Sequence, residues 1–134
     1  MSSPTELSLR YLRNAGWMVD VCERWVPNPG HPGGGQRRDL FGLVDLVAVR
    51  GRQTMGVQTT SHTNFNAHVT KLTDDYHRPM LANLIAAGWD VAIHGWRKST
   101  RDGKACKHGK GARCGCRYTL HREMILALNM EPLI

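Results

Sequence analysis

The sequence predicts an α/β fold in which a central mixed β-sheet carries helices on its faces. Two Val-, Leu- and Thr-rich runs, residues 43–49 and 54–60, flank a polar turn and are typical of a β-hairpin. A helix and a strand precede this hairpin, and two helices and a strand follow it, which is an order that suits a mixed sheet. The 134 residues are enough for a single domain, 1–134, with one core.

The first predicted helix begins with a capping box from Ser3 to Glu6. Pro4 stands at its first helical position, and Gly16 is a natural C-terminal stop about three turns later. In a capping box the Glu6 carboxylate accepts a hydrogen bond from the Ser3 backbone, which is one interpretation of this residue.

Residues 17–26 alternate between apolar and polar side chains, which predicts one strand. Glu23 interrupts the apolar side, and we interpret it as a solvated residue at the strand edge. Residues 28–38 include three consecutive glycines and no hydrophobic side chain, so we expect a mobile loop. Asp39 follows this loop, either as a turn residue or as a second carboxylate near Asp45. The apolar side of the strand is Trp17, Val19, Val21 and Trp25.

The hairpin places three polar side chains on one face. A turn of two or of four residues within 50–53 gives the same register, which sets Asp45 opposite Gln58. Thr60, two residues further along, joins them on that face. An Asp within an apolar strand is unfavourable unless something pairs with it, and a metal ion or a nucleophilic water is one answer.

After the hairpin we expect a helix over residues 61–74, a second helix over 79–88 and strands over 89–96 and 118–125. His94, on the first of these strands, is interpreted as a structural residue. Lys71 shares a side of the first helix with His68, on the part of the helix that follows Thr60. The predicted buried residues of the two helices are Phe65, Val69 and Leu72, and Leu81, Leu84 and Ile85.

The positive charge is concentrated in residues 97–117. This stretch holds eight Lys and Arg against Asp102, which equals the net charge of +7 of the whole chain. A local basic stretch indicates contact with a polyanion, and we expect this polyanion to be nucleic acid. No apolar run approaches the length of a membrane span, so we expect a cytoplasmic protein without a membrane partner. The candidate nucleic-acid-binding residues are Arg97, Lys98, Arg101, Lys104, Lys107, Lys110, Arg113 and Arg117.

The same stretch contains the pattern C-x-H-x5-C-x-C. Cys106, His108, Cys114 and Cys116 offer three thiols and one imidazole, which is the ligand set of a closed structural zinc site. The alternatives are a disordered basic loop with reduced thiols, or another use of His108 or of His121. We interpret the remaining cysteine, Cys22, as a small packing residue.

The hairpin resembles the core of the PD-(D/E)XK nuclease superfamily, and residues 3–96 resemble its archaeal Holliday-junction-resolvase branch. Asp45 matches the family's Asp, Gln58 its second acidic position and Thr60 its Lys. The matching triplet is Gln58-Thr59-Thr60, so this chain lacks one metal-binding carboxylate and the strand Lys. The resemblance implies a restriction-endonuclease-like sheet and a metal-dependent phosphodiesterase.

The resemblance also implies roles for individual residues. Asp45 would anchor Mg²⁺ or Mn²⁺, Gln58 would add a neutral carbonyl, and Glu6 or Asp39 would add charge. Lys71 would replace the missing strand Lys, because some members of the superfamily carry that Lys on the following helix. Resolvase-like members are often homodimers, because a two-fold substrate calls for two sites.

Two other functions remain compatible with the sequence. The chain could be a nucleic-acid-binding module on the same fold that has lost catalysis, since both the acidic residue and the Lys are missing. Without the resemblance, it could be a small interaction protein stabilised by zinc.

Overall fold

The structure is a computed structural model that describes residues 3–109 and 114–127. The chain is α/β, with three α-helices and seven strands in the described ranges. In chain order these are α1 (Pro4–Asn14), β1 (Met18–Val21), β2 (Arg24–Pro27), β3 (Gly35–Arg38), β4 (Leu46–Arg50), β5 (Gln53–Ser61), α2 (Phe65–Leu72), α3 (Arg78–Ala86), β6 (Trp89–Ser99) and β7 (Arg117–Ile125).

Five strands form the central sheet in the order β1-β4-β5-β6-β7. β5 and β6 are parallel, and the other three neighbouring pairs are antiparallel, so the predicted mixed sheet is confirmed. The C-terminal ends of β5 and β6 and the N-terminal end of β4 therefore lie at the same edge of the sheet. This edge carries the polar side chains described below.

The helices cover the two faces of the sheet. Ser3 caps α1 as predicted, since its Oγ accepts from the backbone of Glu6 over 3.2 Å and the Glu6 carboxylate accepts from the backbone of Ser3 over 3.4 Å. Leu12 of α1 packs with Leu46 and Val57 on one face. On the other face α2 and α3 bury their apolar sides against the sheet, as predicted, with Phe65, Val69, Leu72, Leu81 and Leu84 in the core and Ile85 partly buried against it.

The hairpin of β4 and β5 has the predicted register. Arg50 pairs with Gln53 and Leu46 with Val57, around a two-residue turn that begins at Gly51. Asp45 lies one residue before β4, and its backbone N–H donates to the Val57 carbonyl over 2.8 Å. The ladder therefore extends to Asp45 and sets its side chain beside Gln58.

The single strand predicted over residues 17–26 is wrong. The chain leaves the sheet at Cys22, whose N–H donates to the Asp45 carbonyl, and continues as β2 in a separate two-stranded ribbon with β3. Alternation persists through both strands, so the periodicity hides the break. Trp25 does not join the core, since 55% of its surface is exposed.

The mobile loop predicted over residues 28–38 is also wrong in its second half. β3 pairs with β2, with Gly35 opposite Pro27. A Cβ atom at Gly35 would come within 2.6 Å of the Trp25 ring, so this glycine lets the ring lie flat against the ribbon backbone. The glycines of this segment therefore have two roles. They form a turn, and Gly35 allows the Trp25 ring to pack closely against the backbone.

Only part of the basic stretch 97–117 is an insertion between the last two strands. Arg97 and Lys98 belong to β6, and Arg117 is the first residue of β7, paired with Ser99. The two strands form a ribbon that runs past the end of β5, because Ser61 pairs with Trp96, three residues before β6 ends. Among the described residues no helix is long and apolar enough to cross a membrane.

Candidate metal centres

Asp45 is held by one of its two carboxylate oxygens. Its Oδ2 accepts from Gln58 Nε2 at 2.9 Å, from the Thr59 backbone N–H at 2.8 Å and from Thr59 Oγ1 at 3.0 Å. The side chain is only 3% exposed, so these three donors replace the water that the oxygen loses on folding. The contact confirms that Asp45 and Gln58 share a face, as the register predicts.

Three carboxylates meet at this point. Oxygens of Glu23, Asp39 and Asp45 all lie within 4.8 Å of one another, in a set that we call the acidic group. Glu23 comes from the break between β1 and β2, Asp39 follows β3, and Asp45 precedes β4. Three acids brought together from separate segments repel one another, and a bound cation would relieve that repulsion.

The protonation of Asp45 reflects this crowding. Burial, followed by a hydrogen bond to the Asp39 carboxyl, raises the pKa of Asp45 from its ordinary value of 3.8 to about 8, against the opposing effect of the Thr59 N–H. Glu23 is partly compensated, since its Oε1 lies 2.9 Å from Arg37. Without a metal, therefore, burial and the neighbouring Asp39 carboxyl favour the protonated form of Asp45.

Gln58 presents a carbonyl oxygen without a hydrogen-bond partner. Its side chain is 3% exposed, and its Oε1 is one of the buried polar atoms that lack a partner in residues 3–109 and 114–127. A buried acceptor without a partner costs roughly 1–3 kcal/mol, so such an atom calls for an explanation. Side-chain amide oxygens ligate hard cations, and this one belongs to the amide that already contacts Asp45.

A cavity of about 830 Å³ lies beside the acidic group. Asp39 lines it together with Lys71 of α2, so the structure brings these two predicted site residues together. The pKa of His68 is lowered, first by burial and then by the charge of nearby Lys71, and its Nδ1 is buried without a partner in the described ranges. We call this space the site cavity; its further lining residues are Cys22, Arg24, Gln36, Arg37, Arg38, Leu40, Phe41, Gly42, Tyr76, His77 and Met80.

The remaining predicted residues of this site are placed differently. Thr60 is buried, two residues beyond Gln58 on β5, and therefore on the same face of the strand. Glu6 stays exposed in the capping box of α1 and is not part of the acidic group. Its neighbour Thr5 reaches the site indirectly, through a 2.9 Å hydrogen bond between its hydroxyl and that of Thr59.

Sequence reasoning missed Glu23. From the sequence we interpret it as a solvated edge residue, whereas the structure leaves its side chain 19% exposed and brings its carboxylate into the acidic group. The available signal was its position, since a Glu on the apolar side of an alternating run needs a partner. The arginines of the β2–β3 ribbon were also missed, because the loop prediction left them without a fixed place.

The second centre lies between β6 and β7. Ligand atoms of Cys106, His108, Cys114 and Cys116 all lie within 4.8 Å of one another, so this Cys/His group could hold a metal ion such as zinc. His108 Nδ1 is 3.2 Å from the Cys106 sulfur and 3.4 Å from the Cys116 sulfur, and the Cys106 and Cys114 sulfurs are 3.9 Å apart. A tetrahedral zinc with ordinary bond lengths needs sulfur–sulfur edges of about 3.8 Å and sulfur–nitrogen edges of about 3.6 Å.

Neighbouring groups favour the thiolate form of Cys114. A hydrogen bond from the backbone N–H of Cys116 is the largest effect that lowers the pKa of this thiol. The positive charge of Lys98 lowers it further. Reciprocally, the pKa of Lys98 is raised by Cys114. Thiolates are the form in which cysteines bind metal.

Six of the candidate nucleic-acid-binding cations lie in the described parts of β6, β7 and the segment between them, which also carries the Cys/His group. Arg97 is oriented by neutral acceptors, donating to the Gly103 carbonyl over 2.8 Å and to Ser99 Oγ over 3.3 Å. Lys110 and Arg113 lie outside the described residues. Within the described parts of the chain none of the other candidates forms an ion pair with a carboxylate. Those candidates are Arg97, Lys98, Arg101, Lys104, Lys107 and Arg117.

Ser8, His94 and Glu123 form a chain of hydrogen bonds that resembles a nucleophilic triad. Ser8 Oγ lies 2.9 Å from His94 Nδ1, and His94 Nε2 lies 2.6 Å from the Glu123 carboxylate. Ser8 and His94 have no exposed surface, and Ser8 Oγ also accepts from Trp96 Nε1 over 2.8 Å. No substrate could reach this serine, so the network ties α1 to the sheet, as expected for a structural His94.

Comparisons of the chain with protein-family models, with curated proteins and with solved structures give no match. The resemblance to the nuclease superfamily therefore depends on the residues of the hairpin, and the candidate sites depend on their own geometry.

Proposed function

We propose that this chain is a metal-dependent phosphodiesterase acting on nucleic acid, DNA in preference to RNA, with Mg²⁺ or Mn²⁺ at the acidic group. The observation that carries the proposal is that three carboxylates meet at the edge of a cation-lined cavity, beside a Gln58 amide that contacts Asp45 through Nε2 and whose carbonyl oxygen has no partner in the described residues. Acidic residues alone are common on protein surfaces. A buried amide oxygen beside them adds a ligand that has no other use in the fold.

The ligand set fits a hard divalent cation. The Asp45 carboxylate is positioned through Oδ2 by three donors, which leaves its other oxygen available as a ligand. Asp39, Glu23 and the Gln58 carbonyl would complete a mixed oxygen shell, and Mg²⁺ tolerates such a shell because it keeps several waters. The metal would supply charge on the phosphate and a water of lowered pKa.

The missing family residues have replacements in this arrangement. Glu23 supplies the carboxylate that Gln58 lacks, since it lies within the same 4.8 Å group. Lys71 lines the site cavity with Asp39 and takes the place of the strand Lys that Thr60 lacks. In this role Lys71 would orient the attacking water or the phosphate, and the Arg residues of the β2–β3 ribbon would hold the backbone.

A binding module without catalysis is the second candidate function. The observation in its favour is that the acidic group is already compensated in part, because Asp45 accepts three hydrogen bonds and Glu23 pairs with Arg37. On that reading the cations of the β6–β7 ribbon bind phosphates, and no bond is cut. Both functions use the same fold and differ only in cleavage.

We further propose that the Cys/His group binds a structural zinc ion. Four protein ligands leave no open position for a substrate, so this metal would fix the ribbon and take no part in cleavage. The observed spacing between the ligand atoms supports zinc over a chance cluster, because the three measured edges match a tetrahedral site within a few tenths of an ångström.

Cleavage of labelled DNA in Mg²⁺ or Mn²⁺ tests the main proposal. Asp45→Asn should lower the rate by about 100-fold or more, because loss of residues that merely support a metal ligand already costs 10–100-fold. Asp20→Asn is the matched control, since Asp20 is an exposed carboxylate on neighbouring β1. DNA that the wild-type protein binds but never cuts would establish the binding module instead.

A further inference from the structure

We propose that the site cavity binds an unpaired nucleotide, whose base stacks on Phe41 and Tyr76 while its phosphate lies among Arg24, Arg38 and Lys71. The inference rests on the proposed function and names its substrate class, which is nucleic acid with a single-stranded segment at the acidic group. Neither aromatic residue belongs to the metal site.

Two large aromatic side chains line this cavity and remain exposed. Phe41 is 55% exposed and Tyr76 is 76% exposed, although both line the same space as Asp39 and Lys71. An aromatic ring that the fold leaves in water has apolar surface to bury against a partner. Aromatic rings beside fixed cations are the usual components of a surface that stacks bases and holds their phosphates.

The backbone at Phe41 adopts a strained conformation. Phe41 has a φ of 57°, and it is the one non-glycine residue with positive φ in the described ranges. Such a conformation is energetically unfavourable for any residue with a Cβ atom, and it concentrates at binding sites. Glycine would adopt it without that cost, as neighbouring Gly42 does at φ 71°. A Phe here therefore points to a use for the ring.

The turn that carries Phe41 is tight and begins at a site carboxylate. The Gly42 N–H donates to the Asp39 carbonyl over 3.1 Å, and the Leu40 N–H donates to the Val44 carbonyl over 3.0 Å. The backbone that carries the ring is thus ordered, two residues from Asp39. An aromatic side chain on an ordered backbone has less entropy to lose on binding than one on a flexible loop, which favours stacking.

Tyr76 reaches the cavity from a different segment, the connection between α2 and α3. Its ring lies edge to face with His77, with centroids 4.9 Å apart. His77 is itself fixed, since its backbone N–H and its Nδ1 each lie 2.8 Å from Asp74 Oδ1. Both aromatic residues are therefore held by ordered turns before any ligand arrives.

The cations of the β2–β3 ribbon indicate an anionic ligand. Arg24 and Arg38 are directly opposite each other in the ribbon, and like charges in that relation destabilise a sheet. Both line the site cavity, and neither has a carboxylate partner in residues 3–109 and 114–127. A phosphate between the two guanidinium groups would convert the repulsion into binding.

Stacking on these rings requires a base that is free of its own neighbours. Bases in a duplex are stacked and paired, so their faces cannot reach a protein ring unless they leave the helix. An unpaired strand offers both its faces and its phosphates. The cavity should accordingly prefer single-stranded segments, such as a frayed end or a gap, to uninterrupted duplex.

Binding of labelled oligonucleotides without divalent metal tests this inference. Fluorescence anisotropy would compare one strand, its duplex and a mononucleotide for wild type, Phe41→Gly, Tyr76→Ala and Arg24→Ala. Each aromatic variant should lose about 5- to 100-fold in affinity for the single strand. Duplex affinity should change less than twofold. Arg24→Ala should also weaken single-strand binding. The slope of log affinity against log salt should become less negative by about 0.7, as expected for the loss of one phosphate contact.

Stability measurements separate loss of binding from misfolding. Phe41→Gly should unfold at the same or a higher temperature, because glycine removes the strain at this φ. Arg24→Ala should not destabilise the ribbon, because it removes a like-charge pair. Met18→Ala, which removes an exposed apolar side chain on β1, is the control and should leave both properties unchanged.

Three outcomes would overturn the inference: unchanged single-strand affinity in both aromatic variants, an equal loss for duplex, or a mononucleotide bound as tightly as the strand. The assay involves no cleavage, so a wild-type protein that never cuts DNA would defeat the proposed activity and leave this test intact.

Discussion

Gln58 donates to Asp45 through Nε2 at 2.9 Å, and its own carbonyl oxygen has no partner in the described parts of the chain. The amide thus compensates the acid with one end and presents an acceptor with the other. This pairing makes Gln58 the position where the proposed metal site and a merely structural contact can be distinguished.

The substitution Gln58→Glu should tighten metal binding at the acidic group. It adds a carboxylate beside Asp45, which increases the repulsion without metal and the attraction with it. In metal-free buffer we expect lower thermal stability than for wild type. Mn²⁺ should raise Tm by more than it does for wild type. A Mn²⁺ concentration 100 times the Kd stabilises the folded state by about 2.7 kcal/mol.

Gln53→Glu is the matched control, since it makes the same change on the same strand at the exposed turn. It should leave the Mn²⁺ response as in wild type. An identical Mn²⁺ response in Gln58→Glu and wild type would place the metal away from Gln58.

The raised pKa of Asp45 predicts a pH dependence of stability in metal-free protein. The folded-state pKa of about 8 exceeds the ordinary 3.8, so the folded state holds the proton more tightly than the unfolded state. The stabilising contribution of the protonated form is complete below pH 3.8 and is lost as the pH rises towards about 8.

Metal binding should show the opposite trend, because a cation competes with this proton. The affinity for Mn²⁺ should rise with pH until about pH 8, where Asp45 is ionised without help. Calorimetric titrations and unfolding curves of wild type and Asp45→Asn would measure both effects. In the variant, the contribution of Asp45 to the pH dependence of stability and of Mn²⁺ affinity should be absent. If wild type and variant show the same pH dependence, other groups cause it.

The register of the hairpin was predictable because it depends on local rules. Side chains alternate with a period of two, and both turn lengths considered have the same parity, so Asp45 and Gln58 had to share a face. The capping box at Ser3 and the buried side of α2 followed from equally local patterns. Each needed only residues within a few positions of one another.

The rest of the site depends on contacts between distant segments. Glu23 reaches Asp45 only because the chain leaves the sheet at Cys22. The apolar alternation is interrupted at Glu23 but resumes at Trp25, as it would in a single strand. The β2–β3 ribbon depends on the close approach of Trp25 to Gly35. The glycine-rich composition of this segment instead predicts a loop. Phe41 and Tyr76 line one cavity because α2 packs where it does, and no periodicity encodes that relation.

The cations of the β6–β7 ribbon predict a salt-dependent affinity for nucleic acid. Log affinity for duplex DNA should fall with log salt by about 0.9 per phosphate contact, and four to six contacts give a slope of roughly −4 to −5. Replacing Lys104 and Lys107 by Ala should flatten that slope by about 1.8. Both residues are exposed beside the Cys/His group.

Arg13→Ala with Arg52→Ala is the control, because it removes the same charge from the exposed ends of α1 and of the β4–β5 turn. Filter binding at several salt concentrations would give the slopes. An equal change in both double variants would indicate general charge rather than a ribbon contact.

The proposed zinc site predicts about one zinc per chain in protein purified without added metal. Elemental analysis measures this directly. Cys116→Ser should abolish stoichiometric zinc, since a closed tetrahedral site cannot spare a ligand. Cys22→Ser is the control and should keep the metal, because the Cys22 thiol lies beside the Val44 carbonyl in the sheet region.

Removing the zinc should loosen the tip of the β6–β7 ribbon and leave the core folded. The described residues between Ser99 and Arg117 bury little apolar surface, so we expect the metal to supply most of the free energy that orders this segment. A chelator should therefore expose Lys104 and Lys107 to trypsin while the circular dichroism melting curve of the sheet stays within a few degrees. Metal-free protein whose ribbon resists trypsin as well as the zinc-loaded form would show that the four ligands meet without a metal.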